Sequence, residues 1–276
     1  MDALSLLRLQ IAWGADEALE DAPVNRLRAP VPRALSPPPP APARPAPSRP
    51  ISNQAAAPAA QAAQAVAAAG TLEALRAAIR GFSGCALRET ATNPVLPEGD
   101  PAADVMIIGD PPGAEEDRSG RPFSGLAGLV FDRILAGLGL ERGWLMLAPL
   151  IPWRPPGGRP PTAEELALCL PFLHRLIVLT QPRRIVLAGA APVRAFLPAA
   201  TLRRLRGRWT EITVPGLERP LLALPTASLT ALKTPSDRRD AWTDWRLLRR
   251  SMDGSPQNTR RKAGFGGKNG GESIDF

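Results

Sequence analysis

The sequence predicts an α/β fold: a three-layer αβα sandwich around a central, mainly parallel four-stranded sheet. Three observations carry this. Short runs, wholly apolar but for Arg184, recur at 105–108, 144–150, 184–189 and 221–224, the pattern of strands buried on both faces. Segments with apolar residues at helical spacing separate them, over 126–138, 162–180, 190–197 and 237–250. The regular alternation of the two requires parallel strands joined by crossover helices.

Each element has its own signal. The run Val105 to Ile108 ends at Gly109, as a buried strand passing into a tight turn does. Leu126 to Leu138 repeats apolar residues at helical spacing, and the run from Trp144 to Leu150 is stopped by Pro152, Pro155 and Pro156. Thr162 followed by Glu165 is a capping-box start for a helix through Cys169 and Leu173 towards Thr180. Arg184 to Gly189 is the third strand and Ala190 to Leu197 a short helix. Leu221 to Leu224 is the fourth strand, ended by Pro225, and the helix 237–250 carrying Trp242 and Trp245 closes the domain.

Outside 71–250 the composition changes. Residues 2–20 place Leu4, Leu7 and Ile11 on one helical face, a short amphipathic helix that either caps the domain or docks on a partner protein. Residues 21–70, with four prolines at 37–40 and an alanine tract, hold too little large apolar surface to offset ordering entropy and read as a disordered linker. Residues 251–276 are glycine-rich and basic without periodicity and read as a disordered tail.

Composition narrows the function. The 276 residues include 33 prolines, 24 glycines and no tyrosine. Thirty-four basic against 26 acidic residues give +8, a balance that favours an anionic partner such as nucleic acid and that an arginine-rich proteome also produces. No apolar run is long enough to span a membrane and the amino terminus lacks a secretory pattern, which together predict a cytoplasmic protein. Two cysteines and one histidine are too few for a disulfide framework, or for a zinc or iron–sulfur site made by thiols alone.

In such a fold ligands sit beyond the carboxyl ends of the strands. The turn there reads Gly109-Asp-Pro-Pro-Gly113-Ala-Glu-Glu-Asp117, then Gly120-Arg-Pro-Phe123-Ser-Gly125. The second turn reads Trp153-Arg-Pro-Pro-Gly157 and leads to Cys169-Leu-Pro-Phe172; Leu205-Arg-Gly-Arg-Trp209 and Leu224-Pro-Thr226 follow. Over about residues 80–250 the chain resembles the family 4 uracil-DNA glycosylases of bacteria and archaea. The resemblance implies a base-excision-repair enzyme that everts a deaminated base from DNA and hydrolyses its N-glycosidic bond. It gives the first turn, with Gly109, Asp110, Pro112 and Gly113, to the attacking water and the pocket floor, and Phe123 to stacking on the base. Phe123 also reads as an ordinary core residue. Asp110 stands where the family has glutamate and either positions the water or accepts backbone amides at a helix start. Glu115, Glu116 and Asp117 read as a solvated face.

Other positions depart from the family pattern. Pro149 holds the place of the base-reading asparagine, and Ser228 that of the histidine, leaving one hydroxyl for the base oxygen. His174 falls mid-helix as a surface or packing residue. The resemblance implies a [4Fe–4S] cluster on four cysteines, but Phe82 and Trp153 occupy two of those places. Cys85 and Cys169 remain, no cluster is expected, and Phe82 with Trp153 reads as an apolar plug. Arg203, Arg204, Arg206 and Arg208 read as phosphate contacts on a DNA-facing loop or as a solvated face. Arg154 and Arg159 are weaker contacts or partners of Glu164 and Glu165. The leading expectation is a monomeric enzyme acting on single-stranded or damaged duplex DNA; its alternative is an inactive descendant that binds DNA or a repair partner.

Overall fold

The computed structural model describes residues 56–252. In chain order the helices and strands of its first half are α1 (Ala56–Ala68), α2 (Leu72–Gly81), α3 (Leu87–Thr90), β1 (Glu98–Gly99), β2 (Val105–Gly109), α4 (Ala114–Ser119), α5 (Gly125–Gly137) and β3 (Met146–Pro149). Then follow α6 (Ala163–Thr180), β4 (Arg184–Ala188), α7 (Ala190–Phe196), α8 (Leu202–Leu205), β5 (Thr210–Ile212), β6 (Leu221–Thr226) and α9 (Pro235–Met252).

The sheet order is β1-β3-β2-β4-β6-β5. Its four central strands are parallel, as the apolar runs predict, and β1 and β5 add antiparallel edges. These edges are only two and three residues long, too short for a periodic signal. Gly109 pairs with Pro149 and with Ala188, and Ala188 with Thr226, so the parallel strands end in one row. The residues just past this row, Asp110, Gly189 and Ala227, therefore share one rim.

Side-chain alternation along the strands builds two cores. Met106, Ile108, Ile185 and Leu187 pack with Phe172 and Leu176 of α6. Val105, Ile107, Val186 and Leu224 pack with Phe131 and Ile134 of α5 and with Trp245 and Leu248 of α9. Helices thus cover both faces, which is why the strands read as continuous apolar runs. The capping box at Thr162 is present: its hydroxyl accepts the Glu165 amide, and the Glu165 carboxylate accepts the Thr162 amide.

Two expectations are corrected. The linker is not disordered to residue 70, because its alanine tract forms α1, with Ala62 and Ala69 buried and the Ala69 carbonyl accepting from Arg175 Nε at 2.9 Å. Alanine has the highest helix propensity, and its small side chain lets α1 lie close on its neighbours. Pro225 does not end β6, since it pairs with Leu187 and the strand continues to Thr226. Its carbonyl faces outward to the Gly207 amide at 3.1 Å, past Ala223, where pairing with β5 stops, so the missing N–H interrupts no ladder. The expected 2–20 helix, the rest of the linker and the tail beyond Met252 lie outside the described residues.

Candidate active site

Asp110 leaves the end of β2 and turns towards β4. Its Oδ1 accepts the Ala191 amide at 3.3 Å, at the start of α7, and the Ser228 side chain lies close enough to pull its pKa down. Burial outweighs this and pushes the carboxyl above the ordinary aspartate range, against the opposing pull of Ser228 and the Ala191 amide. A carboxylate can accept about four hydrogen bonds, so the Ala191 amide leaves room for a water. The backbone-amide reading of Asp110 is therefore realised at Ala191 and does not exhaust the group. Gly189 makes the position possible: a Cβ there would lie 2.2 Å from Oδ1, and its φ of +137° is one that side chains rarely adopt.

Phe123 lies over the neighbouring residue. Its ring is within 2.9 Å of where a Cβ on Gly109 would be, so only glycine allows the approach. The ring stacks on Phe131 with centroids 4.9 Å apart and is 5% exposed. The core reading of Phe123 thus describes one face of the ring, while its contact with Gly109 brings it to the strand end beside Asp110. The backbone is held in the left-handed region, φ +52°. Both its polar groups are tied down: the N–H donates to Glu116 Oε1 at 2.7 Å, and the C=O accepts from the Arg142 guanidinium at 2.6 Å.

The acidic run is not a uniform solvated face. Glu115 is exposed and pairs with Arg118 at 2.8 Å, as expected. Glu116 turns inward, accepting the Gly113 amide at 2.9 Å as well as that of Phe123. Burial raises its carboxyl above the ordinary range, the two amides oppose this, and the nearby Asp110 charge adds to it. Asp117 is buried and accepts the Thr92 amide at 2.9 Å. Sequence reasoning missed Glu116 and Arg142 as supports of Phe123. Glu116 had a signal, three residues after the glycine that opens α4, where a capping carboxylate belongs; Arg142 had none.

The remaining candidates are dispersed. Pro112 is buried and Gly113 is exposed at the start of α4. Pro149 is buried in the end row of the sheet, beside Gly109. The Ser228 hydroxyl pairs with Thr230 Oγ1 at 2.9 Å, near the Asp110 carboxylate. Arg206 is occupied within the fold, by Asp240 at 2.5 Å and by the buried Asp244 at 3.1 Å, whereas Arg203, Arg204 and Arg208 are exposed and make no ion pair with the described residues. Arg159 pairs with Glu165 at 2.5 Å, and the buried Arg154 Nε has no partner. His174 packs edge-on against Phe196, centroids 5.8 Å apart, and burial lowers its pKa.

The four positions that would hold an iron–sulfur cluster do come together. Cys85 and Cys169 Sγ atoms are 4.0 Å apart. The Phe82 ring lies 6.1 Å from that of Trp153 and 5.2 Å from that of Phe172. All are at most 2% exposed. Two thiols and two apolar rings cannot supply four thiolates, and the rings fill the space a cluster needs. Among the described residues no group of three or more His, Cys, Asp or Glu side chains is placed to hold a metal ion. The donor set does not fit the cluster.

Comparison with known proteins assigns the fold. The sequence model of the uracil DNA glycosylase superfamily matches residues 96–248, which takes in the whole parallel sheet. Similar proteins include a type-4 uracil-DNA glycosylase of Pyrobaculum aerophilum, 38% identical over 140 residues, covering 51% of this chain and 68% of that protein. A type-4 uracil-DNA glycosylase of Sulfurisphaera tokodaii is 29% identical over 209 residues, covering 72% and 92%. One of Thermotoga maritima is 33% identical over 138 residues, covering 49% and 72%. The chain belongs to the uracil DNA glycosylase superfamily.

Proposed function

We propose that the chain excises uracil from DNA by hydrolysing the bond between the base and its sugar, as the names of its relatives indicate for them. The observation that carries the reading is the pairing, at one rim of the sheet, of a half-buried carboxyl of raised pKa, Asp110, with an aromatic ring on the adjacent glycine, Phe123. Breaking the N-glycosidic bond places positive charge on the sugar and negative charge on the departing base. Asp110, when ionised, faces the sugar, favours the cation and orients the water that attacks C1′. A carboxyl of raised pKa is the stronger base towards that water near neutral pH. Phe123 stacks on the everted base. Ser228, near the Asp110 carboxylate, stands where the family uses a histidine on the base, so this chain leans more on the sugar side of the reaction.

On the same reading the chain works as a cytoplasmic monomer on single-stranded or damaged duplex DNA, without an iron–sulfur cluster, and contacts phosphates through Arg203, Arg204 and Arg208. Among the described residues no helix is long and apolar enough to cross a membrane. The test is incubation of the full chain, in excess, with oligonucleotides carrying one uracil, hypoxanthine or cytosine, followed by counting abasic sites. Release from the uracil strand alone is expected. Release from none of them overturns the reading.

A further inference from the structure

Two grooves meet at Ser119. One, of about 330 Å³, runs along the outside of the Phe123 loop, past Arg121, Ser124 and Leu129. The other, of about 520 Å³, has Trp153 in its lining and Arg80, Arg88, Thr92 and Asn93 around it. Ser119 lines both, so the grooves adjoin there, one beside the Phe123 loop and the other reaching Arg80 at the carboxyl end of α2.

The charge along these grooves is uneven. In the first groove Arg121 is spent on Glu98 and Arg142 on Asp132. The second groove has no aspartate or glutamate in its lining. Arg80, in the last turn of α2, and Arg88, in α3, are exposed and make no ion pair with the described residues. Asp117 is buried and its Oδ1 is taken by the Thr92 and Asn93 amides. The Asn93 side-chain N–H groups are consumed by the Asp117 and Arg118 carbonyls, at 3.1 and 3.0 Å. Two guanidinium groups without an ion pair among the described residues, in a groove lined by no aspartate or glutamate, suit a chain of phosphates, which arginine binds through paired donors.

Resting on the function proposed above, we infer that the Arg80–Arg88 groove holds the phosphodiester backbone of the DNA strand that flanks the everted nucleotide, a second contact surface separate from the Arg203–Arg208 segment. A single strand fits this role because the second groove adjoins the one beside the base-stacking loop and carries the cations. The surface would favour substrates with several nucleotides on one side of the lesion over very short ones.

The test uses the full chain and undamaged as well as uracil-bearing single-stranded oligonucleotides, with affinity measured between 50 and 200 mM salt. Replacing both Arg80→Ala and Arg88→Ala weakens binding about tenfold at the low-salt end, and flattens the log–log salt dependence by about 0.7 per arginine removed. Arg80→Lys with Arg88→Lys keeps the slope. Unchanged affinity and slope in the alanine pair, with an unchanged melting temperature, overturn the inference. So does unchanged oligonucleotide binding together with lost binding of an acidic peptide, which would make the groove a protein site. Because undamaged strands are bound without reaction, failure to release uracil would sink the proposed function and leave this result standing.

Discussion

The Asp110 carboxylate occupies the space that a side chain at Gly189 would take: a Cβ at Gly189 would lie 2.2 Å from Oδ1 and 2.4 Å from Oδ2. The two residues follow Gly109 and Ala188, which are paired across β2 and β4, so the sheet register sets the placement. Gly189→Ala is expected to push the carboxylate from its seat. A shift of about 1 Å in a reacting group costs on the order of 10²-fold in rate, so single-turnover excision falls by roughly that factor while the fold survives. Rate and melting temperature measured together check this; an unchanged rate would show that Asp110 does not act from this seat.

The raised pKa of Asp110 fixes the direction of two pH effects. If Asp110 works ionised, excision declines as pH falls, and the decline begins above the usual carboxylate range because burial raises the pKa. The profile of the Asp110→Asn variant should be low and flat. Stability moves the other way. The folded state keeps a proton there that the unfolded chain has released, so this group's contribution becomes less favourable as pH rises through the window between the two pKa values. Asp110→Asn is therefore expected to melt higher than the parent at pH 8 and to lose that advantage near pH 4. A lower melting temperature at pH 8 would contradict the burial argument.

Glu116 supports Phe123 from below, and the charged acceptor matters more than its bulk. Glu116→Ala leaves the Gly113 and Phe123 amides without their partner, at an expected cost of about 1–3 kcal/mol, and lets the left-handed Phe123 backbone relax. Both KM and the single-turnover rate should worsen. Glu116→Gln keeps one neutral carbonyl acceptor but turns its NH2 toward the second amide, and should recover only part of the stability. Thermal melts of the pair decide it: equal losses would mean that the amide contacts carry no weight.

Arg206 and its neighbours should separate cleanly. Arg206→Ala strips the guanidinium from the buried Asp244, leaving it the Thr226 hydroxyl at 2.9 Å, and is expected to cost about 1–3 kcal/mol, tempered by the partial exposure of the pair. Replacing Arg203, Arg204 and Arg208 should leave the melting temperature within a degree or two and reduce the salt dependence of DNA binding. The reverse pattern would exchange their roles.

The legibility of the chain follows the reach of each signal. Central strands and long helices were readable because burial on both faces and helical periodicity act over many residues, as at 105–108 and 163–180. The edge strands β1 and β5 were not, since two or three residues carry no period. The α1 helix was hidden because alanine and proline together look like linker until a neighbouring helix gives the alanines something to cover. At the site, Asp110 and Phe123 stood out through their motifs, whereas the roles of Gly189 and Arg142 come from residues 79 and 19 positions away, to which no local pattern points. Glu116 reads as solvated because an acidic run near a helix start usually is; its spacing from Gly113 points to the cap, but only the fold of the Phe123 loop back over it shows the second amide.

The thiol corner gives a prediction about composition. The full chain prepared without oxygen should contain no iron and show no broad visible absorbance, and incubation with iron and sulfide should not change that. Phe82→Cys combined with Trp153→Cys should gain both iron and colour under the same treatment. A brown parent protein would mean that Phe82 and Trp153 do not fill the site as described.

The most direct test of the whole account is single-turnover release of uracil, with protein in excess over a uracil-bearing strand, compared between the parent chain and Asp110→Asn. The account predicts measurable abasic sites for the parent and a rate lower by about 10²-fold or more for the variant. Equal rates, or no release by the parent at stoichiometric protein, would contradict it.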